Sequence, residues 1–393
     1  MKNKRMLHPQ RGFNMVELMI AMTIGLMICA GLVTVFANTS NTQQELRRAA
    51  QQIENGRYAM DVLSQDLQVT GYFGSFRKIV APTTDPNPCS LNVNPGTPTD
   101  TTSVNYGINL PVQAYNAPSL TATASLPAAC NTFLPTSNLQ PGSDVVVIRR
   151  SDTTYIAKNG PTTAGAVYGQ ANPSMIDIRV STGASFDCTN RVDGTTATIT
   201  RRLQYPASSD TCNGTASPAG YIRQYHVHIY FIAPCNIPSS GSLCDAAADG
   251  GKPIPTLKRL ELTSVGGATS FKTINIAEGV EFMKLSYGID DTPTAVNSDT
   301  GLIGDGSPDR YSLAPSLADM SNIVTARIDM LVRNPESSAG YTDTKTYQLG
   351  VDPVVNTNPA VTIPATILDQ SYRRHVYSAE IRLVNLSSRK EIP

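Results

Sequence analysis

No tryptophan occurs in the 393 residues, and only 16% of them are Asp, Glu, Lys or Arg. The 31 basic and 31 acidic side chains cancel, so no chain-wide field attracts nucleic acid, and no nucleic-acid binding is expected. The sequence also lacks G-x-S-x-G, H-E-x-x-H and any glycine loop that would cradle phosphate. Nothing pairs a nucleophile with a base, so neither an enzyme nor a cofactor is expected. No C-x-x-C occurs, which removes the usual zinc spacing. What remains is 40% hydrophobic residues, too many for a disordered chain, with 28 glycines and 27 prolines. That composition describes an exported, loop-rich, β-leaning protein of one large or two ordinary domains.

The neutral total hides a sharp asymmetry. Residues 1–12 hold Lys2, Lys4, Arg5 and Arg11 and no acid. Residues 13–37 are then predominantly apolar, with Glu17 as the one ionisable group of note. As a helix that run rises about 37 Å, enough to cross a hydrocarbon core of about 30 Å. The basic leader stays cytoplasmic under the positive-inside rule, which places the bulk of the chain outside. No second apolar run of membrane length follows. A secretory signal would put a small-residue cleavage site after the apolar run, but here the small residue, Gly12, precedes it. A plain anchor does not account for Glu17, because a carboxylate within a span costs about 2.5–3.5 kcal/mol without a partner.

Residues 11–18, RGFNMVEL, resemble the type IV prepilin motif, G-F-x-x-x-E-L at the head of an apolar helix. The resemblance implies cleavage between Gly12 and Phe13 by an inner-membrane prepilin peptidase, N-methylation of Phe13, and a guiding role for Glu17 in assembly. Once Phe13 carries a terminal amine, Glu17 lies one helical turn away on the same face. In a bundle of packed stems, the carboxylate of an incoming subunit meets its neighbour's amine. Each charge offsets the other's desolvation, and the pairing sets the axial stagger.

Beyond the span, Leu46, Ala49, Ile53, Gly56, Met60, Leu63 and Leu67 fall at alternating steps of three and four, a stripe widened by Ala50, Ala59 and Val62. The helix is expected to run from Phe13 to Gln68, with Gly56 as a point of interruption or bending and Gly71 as its stop. Residues 55–74, NGRYAMDVLSQDLQVTGYFG, are similar to the head-helix segment of PilW-type minor pilins, with Ser75 where that family often has Cys. Blocks at 279–290, 305–311, 323–333 and 374–383 resemble the same family. The resemblance implies an α+β, pilin-like fold: a long N-terminal α-helix followed by an enlarged antiparallel β-rich head.

The chain divides by pattern into a leader (1–12), a transmembrane and filament-stem helix (13–37), a periplasmic amphipathic half-helix (38–70), a Pro/Asn/Thr-rich loop region (71–143) and a β-rich head (144–393). The loop region reads as surface rather than core. Strands are expected at 144–150, 175–180, 197–203, 221–232, 257–263, 278–289, 323–332 and 376–384. Several alternate at period two, as in a half-buried antiparallel sheet.

Cys29 lies in the span and reads as a packing residue. Cys89, Cys130, Cys188, Cys212, Cys235 and Cys244 lie outside, where thiols oxidise, and read as three disulfides between nearest neighbours. His226 and His228 share a face of one predicted strand, the geometry of a two-histidine metal site, but no third ligand accompanies them. They read as strand histidines. Asp290, Asp291, Asp299, Asp305 and Asp309 sit in a glycine-containing loop with the oxygen chemistry of a calcium site, though not with EF-hand spacing.

The family resemblance implies a minor pilin of the type IV pilus in a tip complex that primes assembly, supporting twitching motility, adhesion or DNA uptake. Its partners would be the major pilin, other minor pilins, the prepilin peptidase and the inner-membrane assembly platform. The protein would be a single-pass inner-membrane protein with a periplasmic head, moving to the pilus tip on assembly. A pseudopilin of type II secretion and a tip adhesin using the loops of 76–143 are the alternatives.

Overall fold

A computed structural model describes residues 14–77, 79–93, 100–156, 161–171, 176–183, 222–241, 243–291, 304–350 and 361–390. The chain separates into two units, residues 1–51 and 52–393. The first consists, over its described residues, of the opening part of helix α1 (Met15–Gln68). The second holds the end of α1 and the strands.

α1 ends where its sequence stops favouring a helix. Gly71 takes a positive φ of 71°, and a Cβ there would sit 2.5 Å from Leu386. The C-terminal helix Val384–Lys390 holds this turn. Asn385 Nδ2 donates to Thr70 O at 3.1 Å, and Arg389 Nη2 donates to Gly71 O at 2.7 Å. Gly56 does not interrupt α1. The Tyr377 ring lies against it so closely that a Cβ would fall 2.4 Å from Cε2. The glycine therefore serves a close approach, not a hinge.

The strands are β1 (Val112–Tyr115), β2 (Val145–Ser151), β3 (Val167–Ala171), β4 (Ile176–Val180), β5 (Ile222–Ala233), β6 (Thr256–Val265), β7 (Ala268–Glu278), β8 (Val280–Ile289), β9 (Arg310–Ser312), β10 (Ile323–Arg333), β11 (Tyr347–Leu349), β12 (Val361–Ile363) and β13 (Arg374–Arg382). Among the described residues all pairings are antiparallel, as expected of an α+β head behind a long apolar helix. In the larger sheet β5 is the trunk. One edge pairs with β2, the other with β3 and then β6, which continues to β7. The second sheet runs β13-β10-β8-β9, and β11 and β12 form a separate pair.

Several strands are not half-buried. Val146 and Ile148 of β2 join Ala59, Leu63 and Leu67 of α1 in a core shared with β8 and β10. Val145 and Val147, on the opposite face, join a second core with Phe73, Phe76, Cys89, Val104, Ile108, Leu134 and Leu139. The described residues of 71–143 are thus largely irregular but packed: they cover the outer face of the larger sheet, and β1 pairs with β2. Every residue of β8 is buried. With both faces covered, these strands read as apolar runs where a half-solvated sheet would alternate. The expected strand at 197–203 lies outside the described residues.

β7 was not expected from the sequence. It returns from β6 through Gly266 and Gly267, both at positive φ, a two-residue turn that glycine permits.

Candidate functional site

The described part of the first unit presents an unusual surface. From Asn14 to Thr39 every residue except Gly25 is exposed, including Met15, Leu18, Met27 and Phe36. By length and composition α1 can cross a membrane. A row of exposed apolar side chains of this length costs free energy in water and favours lipid or other helices.

Glu17 lies in the first turn of α1, exposed, and its Oε2 accepts from the Asn14 backbone N–H at 3.2 Å. A carboxylate there satisfies one open donor of the helix start and suits the positive end of the helix dipole. Gly12 and Phe13 lie outside the described residues. Cys29 is a free, exposed thiol.

In the second unit, the buried stripe of α1 keeps Gly56, Ala59, Leu63 and Leu67 of the expected one and departs from it at single positions. Gln52, Gly56, Ala59, Leu63, Asp66 and Leu67 are buried, whereas Ile53 is exposed. Polar residues can occupy this stripe because the strands supply partners. Gln52 Nε2 donates to Val332 O at 2.6 Å and to Arg373 O at 3.1 Å.

Asp66 is the more demanding case. Its Oδ1 accepts from Arg150 Nε at 2.6 Å, while Oδ2 accepts from His228 Nδ1 at 2.5 Å and from the Tyr230 hydroxyl at 2.9 Å. Burial pushes the Asp66 pKa up, but His228 and Arg150 outweigh it and hold the carboxyl well below the usual range. Burial also pushes His228 below its ordinary value against the pull of Asp66, with Arg259 and His226 adding to the downward shift. The pair is therefore a carboxylate beside a neutral imidazole that donates from Nδ1.

The two histidines do lie together, with ring centroids 5.4 Å apart, but each is taken by a different carboxylate. His226 Nε2 is 3.0 Å from Asp152 Oδ1, and His228 is bound by Asp66. Asp66 escaped the sequence reading because an acid at a stripe edge resembles a solvated flank. Its place in the family-like segment 55–74 was the available signal.

Four of the five loop acids lie among the described residues. Buried Asp290 accepts from Gly306 N through Oδ2 at 2.8 Å. Asp291 pairs with Arg310, Asp309 Oδ2 accepts from Asp291 N at 2.7 Å, and Asp305 Oδ1 accepts from Ser307 N at 2.8 Å. Asp299 lies outside the described residues, among which no three His, Cys, Asp or Glu side chains gather to hold a metal ion. Cys89 is bonded to Cys130 and Cys235 to Cys244. Cys188 and Cys212 lie outside the described residues. Ser75, where the resembling family often has cysteine, donates from Oγ to Ala171 O at 3.1 Å.

Residues 245–385 match the model of the family described as type IV pilus-assembly protein W. The matched segment begins ahead of β6 and reaches past β13, so it contains the whole β13-β10-β8-β9 sheet. This similarity ties the chain to type IV pilus assembly. No curated protein and no solved structure matches the chain.

Proposed function

We propose that the protein is a minor pilin of the type IV pilus, acting in a tip complex that primes polymerisation. The observation that carries this reading is an exposed apolar helix with Glu17 in its first turn, in a chain whose strand-rich part resembles a pilus-assembly family. On this reading the peptidase cuts between Gly12 and Phe13, and Phe13 is methylated. Glu17 pairs with a neighbour's terminal amine as stems pack. The protein waits in the inner membrane through residues 13–37, contacts the assembly platform there, and moves to the pilus tip with other minor pilins. It carries out no catalysis and needs no cofactor.

Size argues for the tip. A head with two sheets and a packed irregular layer would crowd a tightly wound shaft, whereas a cap has no neighbour beyond it. Motility, adhesion or DNA uptake would then depend on the pilus as a whole. An in-frame deletion tests this, made with and without retraction blocked, with surface pili and type II-secreted proteins measured together. Pili that vanish, or return only when retraction is blocked, with secretion intact, support priming. Normal pili with failed secretion would make the protein a pseudopilin. Normal pili and secretion with lost attachment would make it an adhesin.

A further inference from the structure

β13 closes one side of its sheet. It pairs with β10 from Arg374 to Arg382 without a register shift, and with no other strand among the described residues. The hydrogen bonds at the two ends of this ladder fix which way each peptide faces. Asn334 N donates to Arg373 O at 3.0 Å, and Leu383 N donates to Val324 O at 2.9 Å. Antiparallel bonding alternates, so the odd-numbered residues from 373 to 383 turn their N–H and C=O groups to β10. Val376, Ser378 and Glu380 therefore turn theirs outward, where no described residue bonds to them.

An open edge of this length is ordinarily guarded by a proline, a bulge or an outward lysine. β13 has none of these. Its charged side chains are engaged within the chain: Arg374 is bound by Glu281 and Asp343, Glu380 accepts from the Tyr311 hydroxyl, and Arg382 donates to Ser387.

Beside the edge lies a groove of about 600 Å³, between Arg57, Tyr58 and Asp61 of α1 and Tyr377, Ser378 and Ala379 of β13. Tyr377 and Ala379 pack toward the core that α1 shares, so a strand added to β13 would set alternate side chains into this groove. Tyr58 is 53% exposed and offers an apolar ring there. Arg57 is exposed and forms no ion pair among the described residues, whereas Asp61 accepts from Gln65 Nε2 at 2.7 Å.

We propose that β13 and this groove bind an extended segment of another protein, added as a further strand, with an acidic side chain facing Arg57 and an apolar one two residues away facing Tyr58. Peptide groups two residues apart along an extended chain, about 6.8 Å, match the spacing of those left open on β13. A helix bonds its own peptide groups, and a small ligand would span only one such interval. This inference goes beyond the priming role, and its test does not use that role.

The probe is the capped peptide Thr-Val-Thr-Glu-Thr-Val-Thr, followed by saturation-transfer NMR with the full chain in detergent. A form with Lys in place of Glu, and one N-methylated throughout so that it cannot donate, serve as comparisons. The Glu peptide is expected to receive transfer, to bind about 10-fold more tightly than the Lys form, and to lose transfer when N-methylated. Ser378→Pro deletes an outward N–H and leaves the β10 ladder intact; it should weaken binding about 10-fold, with Ser378→Ala unchanged. If Ser378→Pro lacks the native far-UV circular dichroism, Arg57→Glu on the exposed helix face is read in its place and must shift the preference to the Lys peptide. No transfer to the Glu peptide overturns the proposal. So does equal transfer to the N-methylated form, unchanged binding in folded Ser378→Pro, or an unchanged preference in Arg57→Glu. A dimer of the free chain in sedimentation, dissolved by Ser378→Pro, would put a second copy on the edge and overturn the assignment to another protein.

Discussion

Replacing Asp66 by Ala should destabilise the second unit more than any single truncation of a neighbouring apolar contact in α1. The carboxylate has three donors on it: Arg150 Nε at 2.6 Å, His228 Nδ1 at 2.5 Å and the Tyr230 hydroxyl at 2.9 Å. His228 and Tyr230 are buried, and only 18% of the Arg150 side chain is exposed. Each stranded buried donor costs about 1–3 kcal/mol, and breaking a buried ion pair by removing one partner costs about 3–5 kcal/mol. These ranges describe overlapping losses, so about 3–5 kcal/mol is expected in total. Asp66→Asn keeps the shape and can still accept from His228 and Tyr230, but turns an amide N–H₂ toward Arg150. Its cost should be smaller, about 2–3 kcal/mol.

The same cluster sets a pH dependence. His228 has a folded pKa below its unfolded value near 6.5, so its contribution is complete above pH 6.5 and lost as pH falls through the folded value. Across that window stability should fall by up to about 1.4 kcal/mol per pH unit. Asp66, also depressed, contributes above its unfolded value of about 3.9 and loses that contribution at still lower pH. The groups facing His228 are Asp66 of α1, His226 of β5, and Arg259 and Glu261 of β6. Urea unfolding of the full chain in detergent, followed by far-UV circular dichroism between pH 7.5 and 4.5, measures both effects. His228→Gln should flatten the segment below pH 6.5. An Asp66→Ala cost under about 1 kcal/mol, or an unchanged slope in His228→Gln, would refute the reasoning.

The remaining predictions concern the helix, the cross-links and assembly. Gly56→Ala should destabilise despite alanine's helix propensity, because the new Cβ falls 2.4 Å from Tyr377; overpacking costs about 1–3 kcal/mol against about 1 kcal/mol gained. In a Tyr377→Ala background the same substitution should stabilise by about 1 kcal/mol, and a denaturation cycle over the four chains shows whether the sign reverses. Removing Cys89–Cys130, which spans 41 residues, should cost about 4 kcal/mol, against about 3 kcal/mol for Cys235–Cys244 with a span of 9. Unfolding midpoints of the two double-alanine variants give that order or contradict it. Glu17→Gln should leave the thermal unfolding of the head unchanged while abolishing incorporation into pili, measured by immunoblot of sheared filaments.

Legibility followed the range over which the sequence signal acts. α1 could be read because a membrane-length apolar run and a three-four stripe are local patterns, and the structure starts it two residues later than expected. The departures within it were at single positions. Ile53, counted in the stripe, is exposed, whereas Asp66, which the stripe did not include, is buried under three donors from β2 and β5. Those donors stand 84, 162 and 164 residues away, beyond any periodicity. Gly56 shows the same limit. A glycine in a helix reads as weakness until Tyr377, far along the chain, is seen lying against it. The layer from 71 to 143 was hardest to read. Val104, Ile108, Leu134 and Leu139 are buried without forming a repeat, since the first two sit in a six-residue 3₁₀ helix and the others just past two shorter ones. Such a layer is specified by cross-links and by the strands beneath it. Its cysteines were therefore the visible part of a core that hydrophobic periodicity could not report.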